Sequence, residues 1–170
     1  MKNFNEPIIR RAAEADLPAI TELFAGTVRN INSKNYTEKE IRIWASGADN
    51  LNMWKKRIER QYFVVSEVYG IITGFSSIEP DGYLDFLYVH KDYQRHGFAK
   101  ALLEEIERKA IEQKNTLVFI HVSKTARGFF EKHGYKYEGD EVSPGFEYVN
   151  GKTIPVDDVT FINSKMVKLL

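Results

Sequence analysis

The run "QYFVVSEVYGIITGFSSIEPDGYLDFLYV", residues 61–89, restricts the fold more than any other part of the chain. Three β-branched and aromatic segments are separated by Tyr69-Gly70 and by Asp81-Gly82. Glycine supplies the positive φ that tight hairpin turns need, and Asp-Gly between apolar runs is a strong hairpin signal. The spacing therefore predicts a three-strand antiparallel meander. Such a meander must bury at least one face, so the rest of the chain has to cover it.

The flanking sequence offers the cover. "EPIIRRAA" reads as an opening strand, and Asp16 reads as the cap of a helix with Ile20, Leu23, Phe24 and Val28 on one face. "NSKNYTEKEIRIWAS" carries a capping box, Thr37 with Glu40, and a further short helix holds Met53, Trp54 and Ile58. From Gly97 onward, Ala99, Leu102, Leu103, Ile106 and Ala110 form an apolar stripe. Glu104 with Arg108 and Glu105 with Lys109 are expected as pairs on its other side. "TLVFIHV" reads as a central strand, and Ser123 as the cap of a helix that turns Ala126, Phe129 and Phe130 inward and stops at Gly134. "YKYEGDEV", "YVNGKTI" with its Asn-Gly turn and "VTFINSKMVKLL" complete the chain as strands. The expected order is β-α-α-β-β-β-α-β-α-β-β, an α/β (in some schemes α+β) sandwich around a central mixed, mostly antiparallel sheet. No repeat or linker divides the 170 residues, so residues 1–170 are expected to form one domain.

Composition narrows the functions. Lys plus Arg and Asp plus Glu are both 24, which gives no bulk attraction to nucleic acid or to a membrane. The chain has no cysteine, which excludes disulfides, thiolate metal sites and a cysteine nucleophile. No secretory h-region and no apolar run near ~18 residues is present, so a cytoplasmic protein is expected. The four histidines lack metal-ligand spacing, and no metal is expected.

The segment "QRHGFA", residues 94–99, lies where a strand gives way to a helix. Amides in the first turn of a helix have no internal partner, and the helix dipole is positive there. Such a turn binds anions, pyrophosphate above all. Gly97 would let a phosphate approach the backbone, Ala99 keeps the next turn slim, and Arg95 and Lys100 add charge. The alternative is a tight turn at Gly97 with its basic neighbours facing water. The segment is neither a P-loop nor a dinucleotide fingerprint, since the required glycines are missing.

Gln94-Arg95-His96-Gly97-Phe98-Ala99, between "LDFLYVH" and "KALLEEIERKA", resembles the Q/R-x-x-G-x-G/A signature of GNAT-superfamily N-acetyltransferases. "SKTARGFFEKHGYK" is similar to that family's later helix, and "PIIRRAAEADLPAITELF" to its first strand and helix. The resemblance covers roughly residues 7–137 and points to small bacterial members of undefined substrate. It implies an acetyl-CoA-dependent N-acetyltransferase acting on a primary amine of a small molecule or peptide. Backbone amides from Arg95 through His96, Gly97, Phe98 and Ala99 to Lys100 would take the pyrophosphate, with Gln94 at the start of the loop. Leu87, Tyr88 and Val89 would offer a strand edge to the pantetheine arm, as β-augmentation does. Ser123, Ala126 and Phe130 would touch the same arm. The family also allows a homodimer.

Acetyl transfer needs a neutral amine. Deprotonating one with a pKa near ~10.4 costs roughly 4.6 kcal/mol at pH 7, so a base is required. Asp85 is the acid inside "YLDFLYV" and is the first candidate, with a salt bridge or an edge position as the alternative. Glu79 is a second. A strand amide near Leu87 would stabilise the developing oxyanion, as in the family. Relatives protonate the leaving thiolate with a tyrosine whose counterpart here is Phe130. Ser123, Tyr137, His121 and His133 remain as substitutes. Without cysteine, direct attack within a ternary complex is expected. Tyr36, Trp44, Trp54, Phe146 and Tyr148 could line the acceptor pocket, and Glu138, Asp140 and Glu141 could attract a cationic amine. The reading from another class is a catalytically silent CoA-binding module, which Phe130 favours.

Overall fold

The computed structural model describes residues 5–170. Its elements run β1 (Ile8–Arg11), α1 (Leu17–Asn30), α2 (Glu38–Ser46), α3 (Leu51–Arg60), β2 (Tyr62–Val68), β3 (Ile71–Ile78), β4 (Leu84–Val89), α4 (Phe98–Glu112), β5 (Leu117–Val122), α5 (Arg127–Lys132), β6 (Lys136–Val149) and β7 (Lys152–Leu169). Three helices separate β1 from β2, as the three segments read as helical suggest, although the expected order counts only two. That capping box is formed: Thr37 accepts from the Glu40 amide, and Glu40 returns the bond.

The predicted meander is present as β2, β3 and β4, with Tyr69 and Gly70 at φ 51° and 78° in the first turn. β1 extends it into a four-stranded antiparallel sheet. β5, β7 and β6 form a second antiparallel sheet. One parallel bridge, Tyr83 with Phe119, joins the two, and this gives the sheet its mixed character. Beyond that bridge β4 and β5 part.

Successive strand side chains point to opposite faces, so a sheet covered on both sides builds two cores. On one face Val64, Ile78 and Leu84 pack with Leu102, Leu103 and Ile106 of α4 and with Phe130. On the other, Phe63, Val65 and Phe75 pack with Ile20, Phe24 and Val28 of α1 and with Trp54.

Several local expectations change. Asp16 does not cap α1 through its side chain. It accepts from the Ala13 amide at 2.8 Å and forms a two-pronged ion pair with Arg10. The guanidinium offers two charged donors, which outbid a helix amide. The pairs on α4 differ from those expected: Arg108 reaches Glu105 and Glu112, Lys109 reaches Glu112, and Lys100 reaches Glu104. β5, read as a central strand, is the edge of its sheet apart from the Tyr83–Phe119 bridge, and its side chains alternate between buried and half-buried as successive residues turn to opposite faces. Ser123 caps a turn ahead of the last helix: its Oγ accepts from the Ala126 amide at 3.3 Å, and α5 starts only at Arg127. The closing strands are a single long hairpin whose register slips between Pro144 and Gly145. No helix among the described residues is long and apolar enough to cross a membrane.

Candidate active site

The parting of β4 from β5 opens a cavity of about 500 Å³ between the two sheets. Its walls come from Leu87, Tyr88 and Val89 on β4 and from Ile120, His121 and Val122 on β5. At one end Gln94 and Ala99 bracket the turn that starts α4. Gly97 adopts φ +83° there, and a Cβ on it would meet nothing within 4 Å. The first bond of α4 runs from the Ala101 amide to the Gly97 carbonyl at 3.0 Å. The amides of Ala99 and Lys100 therefore precede the ladder, and a helix N-terminus of this kind suits an anion.

The side chains of the loop divide into two kinds. The Gln94 Nε2 donates to the Val89 carbonyl at 2.7 Å and so closes the turn. Phe98 is buried in the core, and only its main chain can serve a ligand. Arg95 (φ 61°), His96 and Lys100 are exposed. Arg95 enters no salt bridge among the described residues.

Asp85 lies in the cavity wall because of a bulge. Ser77 pairs with Phe86 and Ile78 with Leu84, so Asp85 has no partner on β3. A bulge of this kind re-aims one side chain. The carboxylate is 10% exposed. Its Oδ2 accepts from Gln61 Nε2 at 2.8 Å and lies 3.2 Å from Arg57 Nη1, which leaves Oδ1 without a protein partner among the described residues. Glu79 shares both donors, at 3.0 Å from Gln61 and 3.4 Å from Arg57, but stands outside the cavity wall. The salt bridge read as the alternative for Asp85 is present, with Arg57.

Nearby phenols are held neutral. Burial pushes the Tyr83 hydroxyl up to about 12, with the Asp85 charge as the next cause. Burial likewise raises Tyr88, whose hydroxyl is bonded by Trp44. Burial also raises Tyr36, whose oxygen accepts from the Lys124 amide at 3.0 Å.

Ser123, Ala126 and Phe130 line the cavity, and Phe130 is also packed edge-on against Tyr135. Trp44 and Phe146 line it too. Trp54 does not: it is fully buried and stacks on Phe86. Tyr36 and Tyr148 stand outside the wall. The acidic trio is already engaged, Glu138 with Lys165, Asp140 with Tyr137, and Glu141 with His121. Tyr137 and His133 face elsewhere, tied to Asp140 and to the Phe129 carbonyl. Sequence reasoning missed Gln61, Arg57 and Phe161. The first two carry no local signal, since their meaning depends on a bulge in another strand. Phe161 sits in an alternating strand that shows two faces but not which one is the pocket. No group of three or more metal-ligating side chains is gathered among the described residues.

A family model for the acetyltransferase (GNAT) domain matches residues 32–150. The chain belongs to the GNAT acetyltransferase family. Within it, the chain is 27% identical over 128 residues to the uncharacterized N-acetyltransferase YafP of Escherichia coli K12, covering 75% of this chain and 80% of that one. A GCN5-related N-acetyltransferase from Rhodopseudomonas palustris superposes with a TM-score of 0.86 at 24% identity, over 100% of this chain and 99% of that one. The PaiA N-acetyltransferase of Thermoplasma acidophilum, solved in complex with coenzyme A, gives 0.76 at 18% identity, over 98% and 100%. These two likenesses establish a GNAT fold.

Proposed function

We propose that this chain, acting as one domain over residues 1–170, transfers the acetyl group of acetyl-CoA to a primary amine of a small molecule or peptide. The observation that carries the reading is the splay of β4 from β5. It joins an open helix N-terminus at Gly97 to a carboxylate at Asp85 through one cavity. The open space beside Gly97 suits a diphosphate, and the wall of Leu87, Val89, Val122 and Ala126 suits a narrow, mostly apolar arm. A structural relative was solved in complex with coenzyme A, which supports a coenzyme A thioester as the co-substrate.

Acetyl-CoA supplies an activated thioester. The chain's residues have three tasks. The amides from Arg95 to Lys100 hold the diphosphate, with Arg95 and Lys100 adding charge. Asp85 takes the ammonium proton, directly or through water, on the oxygen that Gln61 and Arg57 leave open. The freed nitrogen then forms the C–N bond as the C–S bond breaks, and the second proton it sheds on becoming an amide goes to the departing sulfur. The Leu87 amide is assigned to the carbonyl oxygen, where charge develops. Ser123, in the cavity wall, is assigned to the departing sulfur. A thiol with a pKa near ~8.5 is a weak enough base to leave with modest help, so Phe130 does not block the reaction. With no cysteine to carry an acetyl group, amine and thioester meet in a ternary complex.

Phe130 also favours a second reading, a CoA-binding module without activity. A free-thiol assay over an amine panel, paired with calorimetric titration of CoA, separates the two. Thiol release that depends on the amine supports the enzyme. Silence across the panel with CoA still bound supports the module, and loss of both overturns the site.

A further inference from the structure

The end of the cavity formed by α2 and the β6–β7 hairpin is built from rings. Trp44 and Phe161 meet edge to face at 6.1 Å, and Phe146 and Ile43 add apolar surface. Tyr36 braces Trp44 from behind at 5.3 Å. Trp44 and Phe161 are only partly buried, so they have area left to cover.

The charges in the same cavity are uneven. Among the described residues that line it, Asp85 is the only Asp, Glu, Lys or Arg. Arg57 stands behind the wall and divides its single positive charge between Asp85 and Glu79. One cation between two carboxylates leaves the trio with one net negative charge. His121 in the wall is paired with Glu141 at 3.2 Å, and cations on the surrounding elements are engaged: Arg42 with Glu147, Lys39 with Asp158, and Lys124 over the Tyr36 ring at 5.3 Å. An ammonium is therefore attracted once. A carboxylate on the same molecule would be buried without a cation and beside a like charge, which is expensive. A second ammonium would find no second acid in the wall.

Building on the acetyl-transfer reading, we infer that the acceptor is an apolar or aromatic amine bearing one positive charge and no anionic group, of which an arylalkylamine is the simplest case. The rings receive its tail, and Asp85 receives its head.

The test compares 2-phenylethylamine, L-phenylalanine, L-phenylalaninamide and spermidine as acceptors, by thiol release. The first exceeds phenylalanine in kcat/KM by on the order of 100-fold, since an unpaired buried carboxylate costs several kcal/mol. The amide, which lacks that charge, recovers most of the gap, and spermidine trails. Ser143→Arg places a cation in the wall at an exposed position and narrows the gap at least about tenfold. Phenylalanine or spermidine matching 2-phenylethylamine would overturn the inference while leaving acetyl transfer intact. If no amine is turned over, calorimetry on CoA-loaded protein decides. Tighter binding of 2-phenylethylamine than of phenylalanine upholds the pocket and sinks the transfer reading, and equal binding sinks the pocket.

Discussion

Gln61 and Asp85 are joined by a 2.8 Å hydrogen bond from Nε2 to Oδ2, across 24 positions of sequence. The second hydrogen of the same amide serves Glu79. The amide oxygen is buried and has no hydrogen-bond partner among the described residues. An unsatisfied buried acceptor costs about 1–3 kcal/mol, so this side chain orients Asp85 at the expense of stability. Gln61→Met keeps the length and removes both the bond and the orphaned oxygen. The expected outcome is a Tm within a few degrees of the parent with kcat/KM lowered about tenfold, as a misplaced base would give. A lower Tm with unchanged kcat/KM would reduce Gln61 to a structural role.

Asp85→Asn retains the hydrogen-bonding shape and loses the base. Turnover at pH 7 should fall by about 10²- to 10⁴-fold, with CoA affinity within about twofold of the parent. The deficit should shrink as pH rises toward the amine's own pKa near ~10, because solvent then supplies the neutral nucleophile. A deficit that stays constant with pH would move the base elsewhere.

Gly97→Asp tests the loop. A Cβ there has nothing within 4 Å, so the structural cost at that atom is the left-handed backbone, about 1–2 kcal/mol. Gly97→Ala shares that cost without the charge. CoA affinity, read by calorimetry, should fall much further for Asp than for Ala. Equal affinities would remove the diphosphate from this turn.

Much of the frame was legible before the coordinates. Tyr69-Gly70 and Asn150-Gly151 both adopt the paired positive φ angles that their dipeptides imply, and Thr37 with Glu40 caps as its spacing suggests. These are local interactions, decided within a few residues. Asp85 was visible as an acid in an apolar strand, but its clamp was not. Arg57 and Gln61 meet it only because the β3–β4 register slips and because α3 ends beside that slip. Asp16 failed for the same reason: its helix amide was the near partner, and Arg10 was the stronger one. The ring-lined end of the cavity depends on Phe161, whose place follows from an eighteen-residue strand that sequence reading had cut short.

The Arg10–Asp16 pair predicts an acid limit. The guanidinium bond holds the Asp16 carboxyl below its ordinary value of 3.8. A depressed folded value means the unfolded chain takes the proton first, so the stabilisation is present above about pH 4 and is lost as pH falls through the folded value. Asp16→Asn should therefore lower stability by about 1–2 kcal/mol at pH 7, and the gap to the parent should close toward pH 3. Urea denaturation at both values checks it, and a gap independent of pH would show that the charge is not the cause.

Gly82 ties the fold to the site. Its carbonyl accepts from the Phe119 amide at 3.2 Å, at the bridge where β4 and β5 last touch. It adopts φ +94°, and an added Cβ would lie 2.6 Å from the Leu117 carbonyl oxygen. That oxygen is backbone in β5 and cannot swing aside. Gly82→Ala must then strain one residue and push the two sheets apart at the root of the cavity. The loss of stability should exceed the roughly 1–2 kcal/mol of a left-handed alanine alone. Gly70→Ala is the control, since it shares the positive φ, has nothing within 4 Å of its Cβ and lies in the β2–β3 turn. The control should lose stability but bind CoA normally, whereas Gly82→Ala should lose more of both. Equal melting temperatures, with full CoA affinity in Gly82→Ala, would show that the separation of the sheets is not set at this bridge.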